Sequence, residues 1–345
     1  MKLLTVTVPS YNAEKTLART LDSLCAAARA AERLQVLVIN DGSKDGTEAL
    51  ARRYQTEWPD TVRVISKENG GHGSGINVGL QNAEGRYFAV VDADDWVDTA
   101  ALNAILDAIE GGLSADLLLS EVAVEDDARQ ATRVTSALAS LSPFETISFA
   151  DAADRTVDAF RLHTILPRTD MLRALVDGDG RLVAEHVYYE DCEYTVKAIS
   201  TAQTVAATGV TLYHYLYNTA TQSVSEQSYV RNIKHLQTVI GRLLAYRGAA
   251  RDTLAPANLA RMDAIIVECL RQFAYVQCLL NPDRKAASAA LKQTLTAFAA
   301  SGVVLPTSYR RKLALYRGMH TLHMGSAQLR ALKRLLGRKP TFWEN

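Results

Sequence analysis

Within the first 120 residues, short β-rich runs alternate with stretches of helical spacing, and this alternation constrains the fold more than any other feature of the chain. The runs at 3–8, 34–39, 62–66 and 87–91 are rich in apolar and β-branched residues, while 14–31, 47–57 and 75–83 repeat apolar residues at helical spacing. A fifth apolar run at 116–120 follows a helix expected over 99–110. Such spacing predicts βαβ units, hence an α/β, Rossmann-like, mostly parallel sheet. Ligands of such sheets bind beyond the carboxyl ends of the strands, so the residues just after each strand carry the functional information.

Those four exits read Pro9-Ser10-Tyr11-Asn12, Asn40-Asp41-Gly42-Ser43, Lys67-Glu68-Asn69-Gly70-Gly71 and Asp92-Ala93-Asp94-Asp95-Trp96. One such cluster is ordinary turn chemistry. Four together, two of them acidic, point to a shared ligand site. Asp92-Ala93-Asp94 leaves a buried-looking strand, and paired carboxylates there suit a hard divalent cation that docks a diphosphate. The plain alternative is a turn capping the next helix, with Asp98 or Thr99 as N-cap. Asp41 closes the second strand, where a carboxylate can meet a base or ribose, although Asx-turn chemistry also explains it. Tyr11 offers a flat face for a nucleobase or is a plain packing aromatic.

With 48% hydrophobic and 22% charged residues, the 345-residue chain can bury a sizeable core, which excludes disordered and fibrous classes. No run of 18 uninterrupted apolar residues predicts a membrane span. No charged leader with a cleavage site is recognised, so the expected location is the cytoplasm. Cys25, Cys192, Cys269 and Cys278 form no CxxC pair and read as reduced, packed thiols. The net charge of zero hides a gradient: residues 1–130 hold 21 acids against 12 bases, while 303–345 hold nine bases against one acid. After Tyr229 the spacing is helical over 230–246, 259–280, 286–300 and a basic stretch 309–338. The expected division is an α/β domain over 1–228, carrying the four strand exits, and a helical region with a basic tail over 229–345.

The order and spacing of Val-Pro-Ser-Tyr-Asn (8–12), Val-Ile-Asn-Asp-Gly-Ser-Lys-Asp-Gly-Thr (38–47), Glu-Asn-Gly-Gly-His-Gly-Ser-Gly-Ile-Asn-Val-Gly (68–79) and Val-Val-Asp-Ala-Asp-Asp-Trp (90–96) resemble the family 2 inverting glycosyltransferases of the GT-A fold. Tyr-Tyr-Glu-Asp-Cys-Glu-Tyr (188–194) resembles that family's Glu-Asp catalytic motif, and Leu-Tyr-His-Tyr (212–215) with Ser223-Val224-Ser225 resembles the strand and loop that follow it. The likeness covers residues 3–225, about two thirds of the chain.

The resemblance implies a nucleotide-sugar transferase of bacterial envelope polysaccharide synthesis. Pro9, Tyr11, Asp41 and Asn69 would line the nucleoside pocket. Asp92 would face the ribose and donor sugar, Asp95 would lie close to the sugar, and Asp94, with Asp92, would hold Mn²⁺ or Mg²⁺. His214 would reach the metal or the pyrophosphate. Asp191 would be the catalytic base, with Glu190 orienting acceptor or donor; the plain alternative is a surface pair at a helix start, favoured by the helix dipole. UDP is the expected nucleotide by family habit, and the acceptor would be a saccharide or lipid-linked. The chain departs from the family at Gly75-Ile76-Asn77, where members often carry Ala-Arg-Asn, which leaves base preference open; His72 in the preceding turn either compensates or is a solvated loop histidine.

Residues 309–339 interleave Arg310, Arg311, Lys312, Arg317, Arg330, Lys333, Arg334, Arg338 and Lys339 with apolar residues, a composition drawn to anionic lipid headgroups. That face would hold the chain at the inner face of the cell membrane, or it is the solvated side of a packed helix. No stacking motif or recognition module accompanies the charge, so no nucleic-acid partner is expected. The Ala- and Leu-rich helices over 259–280 and 286–300 suit a homo-oligomer interface or a packed bundle. Two rival functions remain: a sugar nucleotidyltransferase, whose basic, glycine-rich phosphate loop is missing at 9–12, and a non-catalytic nucleotide-sugar-binding or scaffolding subunit, against which the joint presence of Asp92, Asp94 and Asp191 argues.

Overall fold

The structure, a computed structural model, describes residues 2–27, 29–126, 131–134, 138, 140–156, 160–217 and 225–335. Ser223, Val224, Leu336, Arg338 and Lys339 lie outside the described residues, as do the side chains of Leu332, Lys333, Arg334 and Leu335. The chain forms two compact units, 1–221 with Leu254–Asn258, and Gln222–Thr253 with 259–345.

The first unit opens with β1 (Leu4–Ser10), α1 (Leu17–Cys25), α2 (Ala30–Arg33), β2 (Leu34–Asn40), α3 (Thr47–Glu57), β3 (Val62–Ser66), α4 (His72–Gln81), β4 (Tyr87–Val90), β5 (Trp96–Val97), α5 (Thr99–Glu110) and β6 (Leu117–Asp126). Strands run β3-β2-β1-β4, all parallel, with Val6 opposite both Val36 and Ala89. Every residue of β1 and β2 is buried, as expected of parallel strands covered on both faces. Leu4, Val6, Val8, Val36 and Val38 pack with Leu17, Leu21 and Leu24 of α1 in one core. The strand order reverses at β1, so the crevice of the parallel sheet lies between the carboxyl ends of β1 and β4.

There follow β7 (Ala131–Val134), β8 (Thr146–Ser148), α6 (Phe149–Arg155), β9 (Ile165–Pro167), α7 (Thr169–Arg173), α8 (Glu190–Ser200) and β10 (Thr204–Tyr217). Parallel β6 and β10 make a second, mixed sheet with antiparallel β5, β7, β8 and β9. The sequence suggests a strand pair or a strand and turn over 205–216; the structure has one strand whose register shifts after Ala207 and again after Thr211. Gly209, at φ +69°, absorbs the extra residues as a bulge instead of reversing the chain.

Helix α4 begins at His72, three residues before the expected start. Its glycines are poor helix formers, but they admit neighbours that a side chain would exclude. A Cβ on Gly73 would lie 2.2 Å from the Ala184 carbonyl, and one on Gly79 would lie 2.2 Å from Thr7 Oγ1. Close packing on β1 and on residues around 184 therefore overrides propensity.

The second unit is helical: α9 (Glu226–Arg231), α10 (Ile233–Ala250), the remainder of α11 (Pro256–Tyr275), a π-helical turn Val276–Leu280, α12 (Arg284–Ala300), α13 (Thr307–Thr321) and α14 (Ser326–Leu335). Buried Arg247 braces it, donating to both carboxylate oxygens of Asp263 (2.6 and 2.9 Å) and to the Ser301 carbonyl (2.8 Å). The basic stretch is two helices rather than one, broken where His323 takes φ +59°. Tyr316, Met319 and Leu329 are buried, and Arg330 pairs with Glu226 at 2.7 Å, so part of the apolar stripe is spent on packing. Arg310, Arg311, Lys312 and Arg317 stay exposed. All four cysteines are free thiols. Among the described residues no helix is long and apolar enough to cross a membrane.

Candidate active site

The turn after β4 is held from both sides. Thr20 of α1 donates its hydroxyl to the carbonyls of Ala93 (3.2 Å) and Asp95 (2.6 Å), and Arg19 donates to the Asp94 carbonyl (2.9 Å) while its guanidinium lies 3.8 Å over the Trp96 ring. From β10, the Tyr213 hydroxyl donates to Asp95 Oδ2 (2.6 Å) and the Leu216 amide to Asp95 Oδ1 (2.8 Å). Asp98 caps α5 by accepting from the Ala101 amide at 2.7 Å, which leaves Asp92, Asp94 and Asp95 free of that task. Asp95 is only 1% exposed, and burial, with the negative charge of Asp92 next, pushes its carboxyl up to about 7.

Asp92 meets two imidazoles. Its Oδ1 lies 2.9 Å from His72 Nε2, and its Oδ2 lies 3.6 Å from His163 Nε2. Burial opposes its charge, but the two histidines outweigh that and hold it well below the ordinary carboxylate range. For both imidazoles burial likewise opposes charge, and the facing carboxylates raise them above the ordinary histidine value. His163, on the 3₁₀ turn Leu162–Thr164 before β9, also packs edge-on to Tyr213 with ring centroids 4.7 Å apart.

Asp92, Asp95 and His163 each offer a ligand atom, all within 4.8 Å of one another. The two carboxylates of this trio suit a hard cation such as Mn²⁺ or Mg²⁺, whereas the imidazole is a commoner ligand of zinc, iron or nickel. Asp94 is not in that trio; it is half-buried, with its carboxyl raised by burial and by Asp92. His214 is not in it either: its Nδ1 pairs with Glu125 Oε1 at 2.8 Å, and its ring stacks on Trp96 at 5.2 Å.

Glu190 and Asp191 open α8 with opposite exposures. Glu190 is buried and its Oε1 lies 2.7 Å from His72 Nδ1. Asp191 stays exposed, yet the surrounding walls of protein and the neighbouring Glu190 raise its carboxyl above the ordinary value, against the pull of His163 and His72. Asp191 is thus within electrostatic reach of the two imidazoles that face Asp92. Residues about 100 positions apart in the chain converge at one sheet edge.

Of the residues assigned to a nucleoside pocket, Pro9 is buried at the end of β1, Tyr11 is 53% exposed just beyond it, and Asn69 is exposed in the turn after β3. Asp41 is buried and internally bonded. Its Oδ1 accepts from Lys67 Nζ (2.7 Å) and the Gly70 amide (2.8 Å), its Oδ2 accepts from the Gly71 amide (2.9 Å), and its carbonyl accepts from Asn69 Nδ2 (2.9 Å).

Sequence reasoning does not single out His163 or Tyr213, and it leaves His72 between two readings. His163 sits where the alternation fades, with no motif around it. Tyr213 lies inside the quoted Leu-Tyr-His-Tyr, and strand alternation was the available signal: neighbouring residues point to opposite faces, so Tyr213 meets Asp95 while His214 meets Trp96 and Glu125.

Residues 5–160 match the sequence profile of the family described as Glycosyl transferase family 2. The minor teichoic acid biosynthesis protein GgaB of Bacillus subtilis is 34% identical over 101 residues, which is 29% of this chain and 11% of that protein. The chain thus spans about a tenth of that relative's length. Among solved structures, S. aureus TarS 1–349 in complex with UDP-GlcNAc superposes with a TM-score of 0.66 at 20% identity, covering 98% of this chain and 93% of that one. The mannosyltransferase PcManGT from Pyrobaculum calidifontis in complex with GDP-Man and Mn²⁺ superposes with a TM-score of 0.50 at 18% identity over 97% and 88% of the chains. At these identities the likeness shows the fold, a GT-A core followed by helices.

Proposed function

We propose that this chain, which belongs to glycosyl transferase family 2 through residues 5–160, transfers a sugar with inversion from a nucleoside diphosphate, UDP, to a saccharide or lipid-linked acceptor of an envelope polysaccharide. The observation that carries the reading is the placement of Asp191: an exposed carboxylate at the start of α8, next to Glu190, whose carboxylate lies 2.7 Å from the His72 ring that also meets Asp92 at 2.9 Å. GgaB's role in teichoic acid synthesis supports the acceptor class, and UDP-GlcNAc on TarS supports the nucleotide.

In this reading Asp191 takes the proton of an acceptor hydroxyl as its oxygen attacks the anomeric carbon. The bond from that carbon to the diphosphate breaks on the opposite face, and nucleoside diphosphate leaves with the bonding electrons. One displacement inverts the centre, and because a diphosphate leaves as a stabilised anion it needs no proton from a second carboxylate, unlike the sugar leaving group of glycoside hydrolysis. A raised pKa fits a general base, whose removal typically costs about 10²–10⁴ in rate. Pro9, Tyr11 and Asn69 line the nucleoside side, with Asp41 shaping the turn that carries Asn69. Asp92, Asp95 and His163 would hold Mn²⁺ or Mg²⁺, and Asp94 faces the sugar-diphosphate beside them. Such a cation supplies charge neutralisation for the departing diphosphate.

A thermal-shift panel of nucleotide sugars with Mn²⁺ is the first test, because a ligand that favours the native state raises Tm by mass action. A UDP-sugar is expected to give the largest shift, and ¹H NMR of the product should show the opposite anomer. No shift with any nucleotide sugar, or a retained anomer, contradicts the reading.

A further inference from the structure

We propose that His72 is a positioning residue for the transfer just described, tying the start of α8, where Asp191 sits, to the Asp92 turn. The inference rests on that reading of the site. His72 Nδ1 lies 2.7 Å from Glu190 Oε1 and Nε2 lies 2.9 Å from Asp92 Oδ1, so one ring spans two segments 118 and 20 residues away in sequence. Both partners are carboxylates, which only accept when ionised. The ring turns one nitrogen toward each acid from opposite ends of a rigid plane, which an aliphatic or single-ended polar side chain cannot do.

The surroundings are built for this link. His72 is the first residue of α4, and Gly71, at φ +81°, turns the chain so that the ring enters between the two acids. The same turn grips the segment before α8 through its backbone, as the His186 amide donates to the Gly70 carbonyl at 2.7 Å. Asn77 of α4 adds to that grip, accepting from the Leu182 and Val183 amides (2.9 and 3.1 Å) and donating to Glu185 Oε1 (3.0 Å). His186 (φ +56°) and Tyr189 (φ +72°) both hold left-handed backbone, a conformation that persists only where the surroundings over-determine it. The glycine-rich turn thus sets where α8 begins, and His72 carries that placement to the loop that faces the sugar-diphosphate. Since Glu190 is bound to His72, the adjacent Asp191 keeps a set distance from Asp92.

The test uses the full chain as wild type, His72→Gln and His72→Ala. Imidazole ¹⁵N NMR of the metal-free protein reads the link without turnover. Each His72 nitrogen is expected to report its own partner, with Glu190→Gln moving the Nδ1 signal and Asp92→Asn the Nε2 signal. A freely solvated ring overturns the link, whatever reaction the protein performs. Turnover reads the purpose: kcat is expected to fall about 10- to 100-fold in both variants, as for a reacting group misplaced by about an ångström, while KM for the nucleotide sugar stays within about threefold. Unchanged kcat, or a loss confined to KM, overturns the positioning role. A wild type that transfers no sugar while showing the NMR link instead overturns the proposed function.

Discussion

The exits of β2 and β4 both end in aspartate, and they are built to opposite ends. Asp41 is buried, and its carboxylate accepts from a lysine and two backbone amides. Asp92 is half-buried, faces two imidazoles instead of backbone, and has Asp94 and Asp95 crowded beside it. One carboxylate is spent on building a turn. The other is left where its charge is balanced by side chains that a ligand can engage. Glu190 and Asp191 repeat the contrast at one helix start, the first buried and bonded, the second open. A strand-end acid is therefore not a site by position alone; what differs is what holds its oxygens, a lysine and backbone amides at Asp41 and partly open imidazoles at Asp92.

The largest effect is expected at the open member of the helix pair. Asp191→Asn should lower kcat about 10²–10⁴-fold while the Kd for UDP stays within about threefold, read by initial rates and calorimetry. Its raised pKa also sets a sign for pH: transfer is expected to fall, as pH drops, at a higher pH than an ordinary carboxylate would give.

Stability against pH should follow the crowded exit. Asp95 titrates near about 7 when folded and at the ordinary 3.8 when unfolded, so between these values the native state binds more protons. Its contribution is then present below the unfolded pKa and lost as pH rises toward 7. The Tm of the metal-free protein is expected to carry this fall across about pH 4 to 7, and Asp95→Asn is expected to flatten it. An unchanged slope in the variant would show that the carboxylate cluster is not what the pH profile reports.

The smallest effect concerns α13. Its exposed Arg310, Arg311, Lys312 and Arg317 should give weak binding to anionic vesicles that added salt abolishes, while buried Tyr316 and Met319 are unavailable for insertion. Salt-resistant binding in a flotation assay would show that the helix releases its packed face to lipid.

Much of the first unit was legible because parallel strands and their helices impress two different periods on the sequence. The exits, and with them Tyr11, Asp41 and Asp92, followed from that alternation. The state of each acid did not. Whether Asp41 is saturated depends on Lys67 and on amides around Gly70, which reach it only once β2 and β3 are paired. His163 enters through a 3₁₀ turn that leaves no periodic trace, and the choice between Tyr213 and His214 depends on the facing of a strand that bulges twice upstream. Long-range placement, rather than local pattern, decided these.

The contrast between the two exits is tested most directly by measuring Tm and the Kd for a UDP-sugar with Mn²⁺ on Asp41→Asn and Asp92→Asn side by side. Asp41→Asn is expected to cost about 2 kcal/mol or more of stability, the loss of charge-assisted bonds to otherwise unpaired amides. Asp92→Asn, whose imidazole partners are partly open to water, is expected to lower Tm less than Asp41→Asn does while weakening nucleotide-sugar binding at least tenfold. The reverse pattern, with Asp41→Asn stable but unable to bind and Asp92→Asn unstable but binding normally, would contradict the account.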